Sequence, residues 1–142
     1  MLKKLKIGVD LDGTTFFFLF FLMKDAKKVL NSWVEQGHTV RVVTIRWKFL
    51  LFLAEKTLLF YRKYFGLARV EVVGVGPNGE KYQHLVGFDI FFDNDPKHLL
   101  EIDGRVEHLF IFGKKPVKDF ENVASWHDMR LKVDGISLGK IQ

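Results

Sequence analysis

Apolar residues recur along the chain in two patterns that alternate with each other. Short runs rich in β-branched and aromatic residues, each bounded by polar or glycine-containing segments, predict strands. The predicted strands are Leu5–Asp10, Thr39–Thr44, Val70–Val73, Asp89–Asp93 and Val106–Phe112. Between them, apolar positions three and four residues apart predict helices. The predicted helices are Lys24–Gln36 and Trp47–Phe65, each followed by a glycine, and shorter ones near Glu80, after Pro96 and from Trp126 behind a Ser125 cap.

Strands that alternate with helices predict the α/β class, with parallel strands joined by crossover helices. We expect a doubly wound, three-layer α/β/α, Rossmann-like domain with a mainly parallel sheet of about five strands. The chain has 142 residues, and neither an internal repeat nor a linker divides it. Residues 1–142 are therefore predicted to form a single domain.

Composition excludes several classes of function. Cysteine is absent, which excludes disulfide scaffolds, thiolate metal sites and cysteine nucleophiles. The net charge of +5 is spread along the sequence without a basic run, so nucleic acid is not an expected partner. The longest apolar run, Phe16–Met23, is far too short to span a bilayer. We expect a soluble, cytoplasmic protein without a membrane span.

Polar residues concentrate where the predicted strands end, which is where doubly wound sheets bind ligands. The first strand ends in Asp10, and Asp12 follows in the next turn. Thr44 ends the second strand, Lys81 follows the glycine-rich stretch at 74–79, and Asp93 ends the fourth strand. Three neighbouring carboxylates repel one another unless a cation lies among them, and oxygen ligands suit Mg²⁺, which bridges carboxylates to phosphate. The pattern favours phosphoryl transfer.

These segments resemble, in order, the four motifs of the haloacid dehalogenase superfamily of phosphatases. The motifs are Asp10-x-Asp12-Gly13-Thr14, Thr44, Lys81 and Asp93, and the resemblance extends from about Lys6 to Met129. The stretches 37–46, 91–96 and 123–126 are similar to the deoxyribonucleotidase-type branch. The chain departs from many relatives at Asn94, where they have a second aspartate.

The resemblance implies a Mg²⁺-dependent phosphomonoester hydrolase and a role for each motif residue. Asp10 would be the nucleophile that forms an aspartyl-phosphate, and Asp12 the general acid and base. Thr44 and Lys81 would bind the transferring phosphoryl group, and Arg46 would contribute to substrate binding. Asp10, the Asp12 main-chain carbonyl and Asp93 would hold Mg²⁺. The implied substrate is a phosphorylated small molecule, with a nucleotide or a sugar phosphate as the default class.

Family members usually cover the active site with an inserted cap, and this chain has no room for one. Only 9 residues, Thr15 to Met23, separate the first motif from the next predicted helix. Where a cap would lie, the sequence has two clusters of phenylalanine, within Phe16–Met23 and Trp47–Phe65. The second helix is apolar over an arc of roughly 200°, which indicates burial on two sides. We expect a homo-oligomer that uses both clusters as its interface.

Other interpretations of these features stay open. The phenylalanine clusters are also compatible with an apolar substrate pocket, with a membrane-surface helix, or with segments redesigned to create an interface. A scaffold with the family fold could use them to bind partners with little or no catalysis. A receiver-like phosphoacceptor domain also places carboxylates, a threonine and a lysine around Mg²⁺, although its acceptor acid ends a later strand.

Individual residues also have simpler interpretations. Lys81 could be an ordinary solvated lysine, and Thr44 could cap the helix that follows it. Asp89 and Asp95 are expected to be turn residues, and Trp126 a core anchor. No histidine has a metal-binding spacing, so none is assigned a role.

Overall fold

A computed structural model describes residues 2–18, 20–76 and 80–140. The chain alternates strands with helices, and a short hairpin follows the first strand. The strands are β1 Lys6–Asp10, β2 Phe16–Phe18, β3 Phe21–Leu22, β4 Thr39–Thr44, β5 Glu71–Gly74, β6 Ile90–Asp93, β7 His108–Phe112 and β8 Glu121–Val123. The helices are α1 Ala26–Glu35, α2 Lys48–Phe65, α3 Pro96–Ile102 and α4 Trp126–Ser137, with a 3-10 helix at Lys81–His84.

Six of the strands form one sheet in the order β5-β4-β1-β6-β7-β8, and all of their pairings are parallel. The predicted α/β class with a parallel sheet is therefore confirmed. The sixth strand, β8, extends the edge beyond the five that the sequence predicts. The hairpin β2–β3 is a separate antiparallel pair within the predicted apolar run. Leu19 of that run, and residues 77–79 of the glycine-rich stretch, lie outside the described residues.

Helices cover both faces of the sheet. On one face, α1, α2 and α4 pack with alternate strand residues such as Ile7 and Phe92. On the other face, Val43 and Phe91 pack against Leu85 and against α3. Successive strand side chains point to opposite faces, so the apolar residues of one strand serve both cores. The three-layer α/β/α arrangement follows from this burial on two sides.

Two glycines fix local geometry, one in β1 close to the site and one at the end of α2. A Cβ atom on Gly8 in β1 would lie 2.5 Å from Leu85 and 3.0 Å from Phe91, so only glycine lets this strand pack closely there. Gly66 ends α2 with a φ of 72°, as the sequence predicts for its stop.

The helix α2 differs from its prediction in how it is buried. It begins at Lys48, and Trp47 precedes it without a side-chain cap, so Thr44 does not cap it. Within the helix only Ala54 and Leu58 are buried, because one narrow stripe contacts the core. Its remaining apolar side chains are exposed or half-buried. In the part of the chain that the structure describes, no helix combines the length and the apolar character that crossing a bilayer requires.

Candidate active site

The sheet brings the predicted carboxylates together at one edge. Strand β1 is central and pairs with both β4 and β6, so Asp10 and Asp93 end adjacent strands. Asp10 is 5% exposed and Asp93 is fully buried. Thr44 ends β4 on the other side of β1 and is also buried. Parallel pairing therefore places the two acids and the hydroxyl group at the same end of the sheet, as the sequence predicts.

Lys81 reaches this cluster from the 3-10 helix that follows β5. Its Nζ atom lies 2.5 Å from Asp10 Oδ1 and 2.8 Å from Asp93 Oδ2. The lysine is 2% exposed, so it is not a solvated surface residue. A buried ammonium group between two buried carboxylates compensates part of their repulsion.

Burial and mutual contact shift the pKa values of these groups. Burial, followed by the charge of Asp93, raises the pKa of Asp10 to about 7 against the opposing effect of Lys81. Burial alone would raise the pKa of Asp93, but hydrogen bonds from His98, Lys81 and the main chain hold that pKa below its ordinary value. Burial would lower the pKa of Lys81, yet the two carboxylates outweigh it and raise that pKa. These shifts favour an ionised Asp93 and a charged Lys81, and they bring the titration of Asp10 close to neutral pH.

Asp12 points to a different partner. Its carboxylate accepts hydrogen bonds from Arg46 Nε at 2.9 Å and from the Arg46 terminal guanidinium nitrogen at 2.6 Å. Arg46 is buried, whereas the Asp12 side chain is 43% exposed. The guanidinium also lies 5.8 Å from the Phe16 ring and 5.9 Å from the Phe20 ring. The planar arginine thus fixes the orientation of the Asp12 carboxylate.

Thr14 of the first motif and Thr15, which follows it, support the Asp10 loop. Thr15 Oγ1 donates to the Asp10 main-chain oxygen at 2.7 Å, and Thr14 Oγ1 lies 3.4 Å from Asp10 Oδ2. The Trp126 indole donates to the Thr14 main-chain oxygen at 2.7 Å. Trp126 is fully buried, so it is the core anchor that the sequence predicts and also braces the loop.

Asn94 occupies the position where three oxygen atoms converge. One end of its amide lies 2.9 Å from Asp10 Oδ2, 3.0 Å from the Asp12 main-chain oxygen and 3.3 Å from Asp93 Oδ1. With its NH₂ group at that end, Asn94 donates to all three oxygens. These oxygens are the donor set that the family resemblance implies for Mg²⁺. Their hard, convergent character fits that ion once the amide moves aside.

Side chains alone do not build a metal centre here. Among residues 2–18, 20–76 and 80–140, no three His, Cys, Asp or Glu side chains are grouped so as to hold a metal ion. The candidate site combines two carboxylates with a main-chain oxygen. Mg²⁺ commonly keeps several water ligands, so a set with few protein ligands is compatible with it.

His98 is a site residue that sequence reasoning missed. It lies in the first turns of α3, and its Nδ1 is 3.2 Å from Asp93 Oδ2. That hydrogen bond raises the pKa of His98. The sequence gives one indication of this role. His98 lies five residues after Asp93, at the start of the helix that follows β6, and therefore close to the end of that strand. Asp95 caps the same helix by accepting from the Lys97 main-chain N–H at 2.9 Å, as a turn residue would.

A cleft of about 370 Å³ opens beside the site. It is lined by Ile45, Trp47, Gly76, Lys81, Lys97, His98 and Glu101. Lys81 is shared between this cleft and the carboxylate cluster. The cleft therefore offers a place next to the candidate nucleophile for part of a bound molecule.

The architecture matches a solved phosphatase. The structure is similar to D,D-heptose 1,7-bisphosphate phosphatase from B. bronchiseptica, crystallised with magnesium and phosphate, with a TM-score of 0.69. The match covers 90% of this chain and 97% of that one, at 9% sequence identity. The fold is haloacid dehalogenase-like. Neither a family model nor a curated protein sequence matches the chain.

In this haloacid dehalogenase-like fold, Asp10, Lys81 and Asp93 meet where the sequence motifs predict. Thr44 lies at the same edge of the sheet. The Arg46 guanidinium binds Asp12, and its role in substrate binding stays a prediction. The geometry thus brings the candidate nucleophile into contact with the buried Lys81 and the candidate general acid into contact with Arg46.

Proposed function

We propose that the protein is a Mg²⁺-dependent phosphomonoester hydrolase. One observation carries this proposal: Asp10 and Asp93 lie buried at adjacent strand ends with Lys81 bridging them, in a haloacid dehalogenase-like fold. Buried carboxylates with a shifted pKa at a ligand-binding edge of a sheet are typical of catalytic sites. A magnesium-bound phosphatase with the same fold supports the same chemistry.

The proposed reaction has two steps on the side chains of this chain. A carboxylate oxygen of Asp10 attacks phosphorus, the ester P–O bond breaks, and an aspartyl-phosphate forms. Asp12 gives its proton to the departing alcohol oxygen. Asp12 then takes a proton from water, the water oxygen attacks phosphorus, and phosphate leaves as Asp10 is regenerated. Bound Mg²⁺, held by Asp10, Asp93 and the Asp12 carbonyl, would neutralise charge on the phosphoryl oxygens.

In this proposal, Lys81 and Thr44 bind the phosphoryl group. The ammonium group of Lys81 already contacts Asp10, so oxygens transferred to Asp10 would lie within its reach. The Thr44 hydroxyl accepts a hydrogen bond from the Arg46 main-chain N–H at 3.1 Å, which leaves its own proton available to donate.

The proposed substrate is a phosphorylated small molecule, and a nucleotide or a sugar phosphate remains the default class. The cleft beside Lys81 combines the aromatic ring of Trp47 with the charged Lys97. An aromatic ring packs against a base or a sugar ring, and a lysine binds a second anionic group.

The first test is hydrolysis of an aryl phosphate with and without Mg²⁺. We expect turnover that requires the metal and is lost in Asp10→Asn, which removes the nucleophile with little change in shape. Asp103→Asn is the matched control, because Asp103 is exposed and carries the same substitution outside the site. Full activity in Asp10→Asn would refute the mechanism. A folded protein without any hydrolysis would favour the scaffold alternative.

A further inference from the structure

Exposed aromatic rings cover the hairpin, the outward side of α2 and, at Phe65, the end of that helix. We call this surface the aromatic face; it comprises Phe17, Phe20, Phe21, Phe49, Phe52, Phe60, Tyr64 and Phe65. These side chains are between 38% and 68% exposed, although aromatic rings of this size usually lie in cores or interfaces. The helix places only its opposite stripe, with Ala54 and Leu58, against the core.

The rings form a continuous surface. Phe17 stacks on Phe21 with ring centroids 5.7 Å apart, and Phe60 lies 5.1 Å from Tyr64 and 5.6 Å from Phe65. A cleft of about 350 Å³ joins the hairpin to the helix, and Phe21 and Phe60 line it together. The hairpin and α2 thus present one apolar surface.

The aromatic face is larger than a monomer usually exposes. At about 200 Å² for a whole aromatic side chain, the exposed fractions add up to about 900 Å². The largest apolar patch on a typical monomer covers about 300–600 Å². An exposed apolar surface of this size indicates a binding site for a protein or a membrane.

The segment that contains the hairpin and α2 has more basic than acidic residues. Residues 15–66 contain nine Lys and Arg residues and three Asp and Glu residues, a net charge of +6. The remaining residues contain 13 basic and 14 acidic ones, a net charge of −1. Two of these bases, Arg41 and Arg46, pair with acids outside the segment. Helix α2 itself contains four Lys and Arg residues and one Glu, a net charge of +3, which favours an anionic partner.

Two lysines lie among the rings themselves. Lys56 Nζ is 5.3 Å from the Phe52 ring centroid, and Lys63 Nζ is 5.6 Å from that of Tyr64. Lys56 also lines the cleft between the hairpin and the helix. The cores of protein–protein interfaces are depleted of lysine, and a second copy would bring the same positive charges to this surface. Lipid phosphates would instead attract these ammonium groups.

We propose that the aromatic face docks the protein on an anionic phospholipid surface. The rings would enter the boundary between headgroups and acyl chains, and Lys56 and Lys63 would contact lipid phosphates. The helix lies on the bilayer in this arrangement and does not cross it. The sequence left a membrane-surface helix open, and the one-sided outward face with its lysines favours it over a second copy.

The test is co-sedimentation of the purified protein with vesicles. One set contains phosphatidylcholine alone, and the other contains phosphatidylserine as about a third of the lipid, which gives a negative surface potential. We expect binding to the anionic vesicles alone, weakening as salt is raised. Sedimentation velocity without lipid should show a monomer at micromolar concentration.

Double variants on the aromatic face, each with a matched double variant elsewhere, distinguish docking through that face from attraction by net charge. We expect Lys56→Glu/Lys63→Glu to weaken binding to anionic vesicles at least about tenfold. Each lysine near an anionic membrane surface contributes substantially to the free energy of binding. Lys114→Glu/Lys115→Glu makes the same change in net charge on exposed residues elsewhere and should retain binding. Phe49→Ala/Phe60→Ala should also weaken it, whereas Leu100→Ala/Leu131→Ala, at exposed sites elsewhere, should not.

Several results would overturn the proposal. Wild-type protein that stays in the supernatant with both kinds of vesicle refutes it without any variant. Equal binding to neutral and anionic vesicles refutes the role of the lysines. Equal losses in the two double charge reversals show attraction by net charge alone. A stable dimer that does not bind vesicles identifies the second copy as the partner of this surface.

Discussion

Replacing Arg46 with lysine tests whether the arginine acts through Asp12. In the structure the guanidinium makes two contacts to the carboxylate, at 2.9 Å and 2.6 Å, and a single ammonium group cannot reproduce both. Since the Asp12 side chain is 43% exposed, solvent screens the pair. We expect Arg46→Lys to lower the free energy of unfolding by only about 1 kcal/mol.

The effect on catalysis should be larger and should depend on the leaving group. A positioned general acid contributes about 10²–10⁴-fold, and a carboxylate misplaced by about an ångström loses much of that. An alkyl alcohol needs its proton from Asp12, whereas a nitrophenolate leaves readily without one. We expect kcat/KM in Arg46→Lys to fall about 10²-fold for alkyl phosphates and only a few-fold for p-nitrophenyl phosphate.

The assay is kcat/KM across a series of phosphate esters that differ in leaving-group basicity. Arg41→Lys is the matched control, because Arg41 lies on β4, five residues before Arg46, and pairs with Glu71 at 3.1 Å, away from Asp12. We expect the control to lower kcat/KM only slightly, and by the same factor for every ester. An equal loss for every ester in Arg46→Lys would show that Arg46 does not work through Asp12. Absence of turnover in the wild type would instead contradict the proposed function itself.

Three further predictions each concern a single polar side chain. Lys81→Met should lower the free energy of unfolding by about 3–5 kcal/mol in urea titrations without metal, since two buried carboxylates lose their counter-charge. Asn94→Asp should lower the metal-free melting temperature and increase the rise produced by Mg²⁺, because a carboxylate replaces the NH₂ group among three oxygens. Burial, followed by the charge of Lys4, lowers the pKa of His38 from 6.5, so the free energy of unfolding should fall as pH decreases below about 6.5. His38→Asn should reduce that fall.

Each of these has a result that would contradict it. Lys97→Met is the surface control for Lys81→Met, and equal effects of the two would argue against a stabilising buried cluster. A Mg²⁺-induced shift in melting temperature that is unchanged in Asn94→Asp would place the ion elsewhere. His38 Nδ1 accepts the Leu5 main-chain N–H at 3.0 Å, and asparagine can accept the same bond without titrating. An unchanged pH profile in His38→Asn would assign the acid sensitivity to other groups.

The sequence was sufficient for those residues whose positions follow from strand order. Asp10, Thr44 and Asp93 end parallel strands, and the ends of neighbouring parallel strands must meet at one edge. The position of Lys81 does not follow from strand order, because it lies in a short 3-10 helix after a glycine-rich stretch. Its burial depends on how that helix packs on the sheet, which no local pattern reveals.

Other features depend on side-chain direction and edge geometry, so the sequence did not predict them. The pairing of Asp12 with Arg46 depends on the turn after β1, in which the side chain can point several ways. Strand β8 has the sequence Glu-Asn-Val and lacks an apolar alternation, because an edge strand needs few buried residues. The hairpin β2–β3 lies in an apolar run whose composition does not distinguish a strand from a helix.

The central place of β1 has a consequence for the kinetics of folding. Ile7 pairs with Ile90, 83 positions later, and Asp10 meets Lys81 across 71 positions. Closing such long loops costs chain entropy before the contacts between the strands can offset that cost. Parallel pairing of distant strands therefore slows folding. Helices α1 and α2 can form from local contacts, whereas the site can exist only after β6 has joined β1. In a refolding experiment, helical circular dichroism should therefore recover before catalytic activity does.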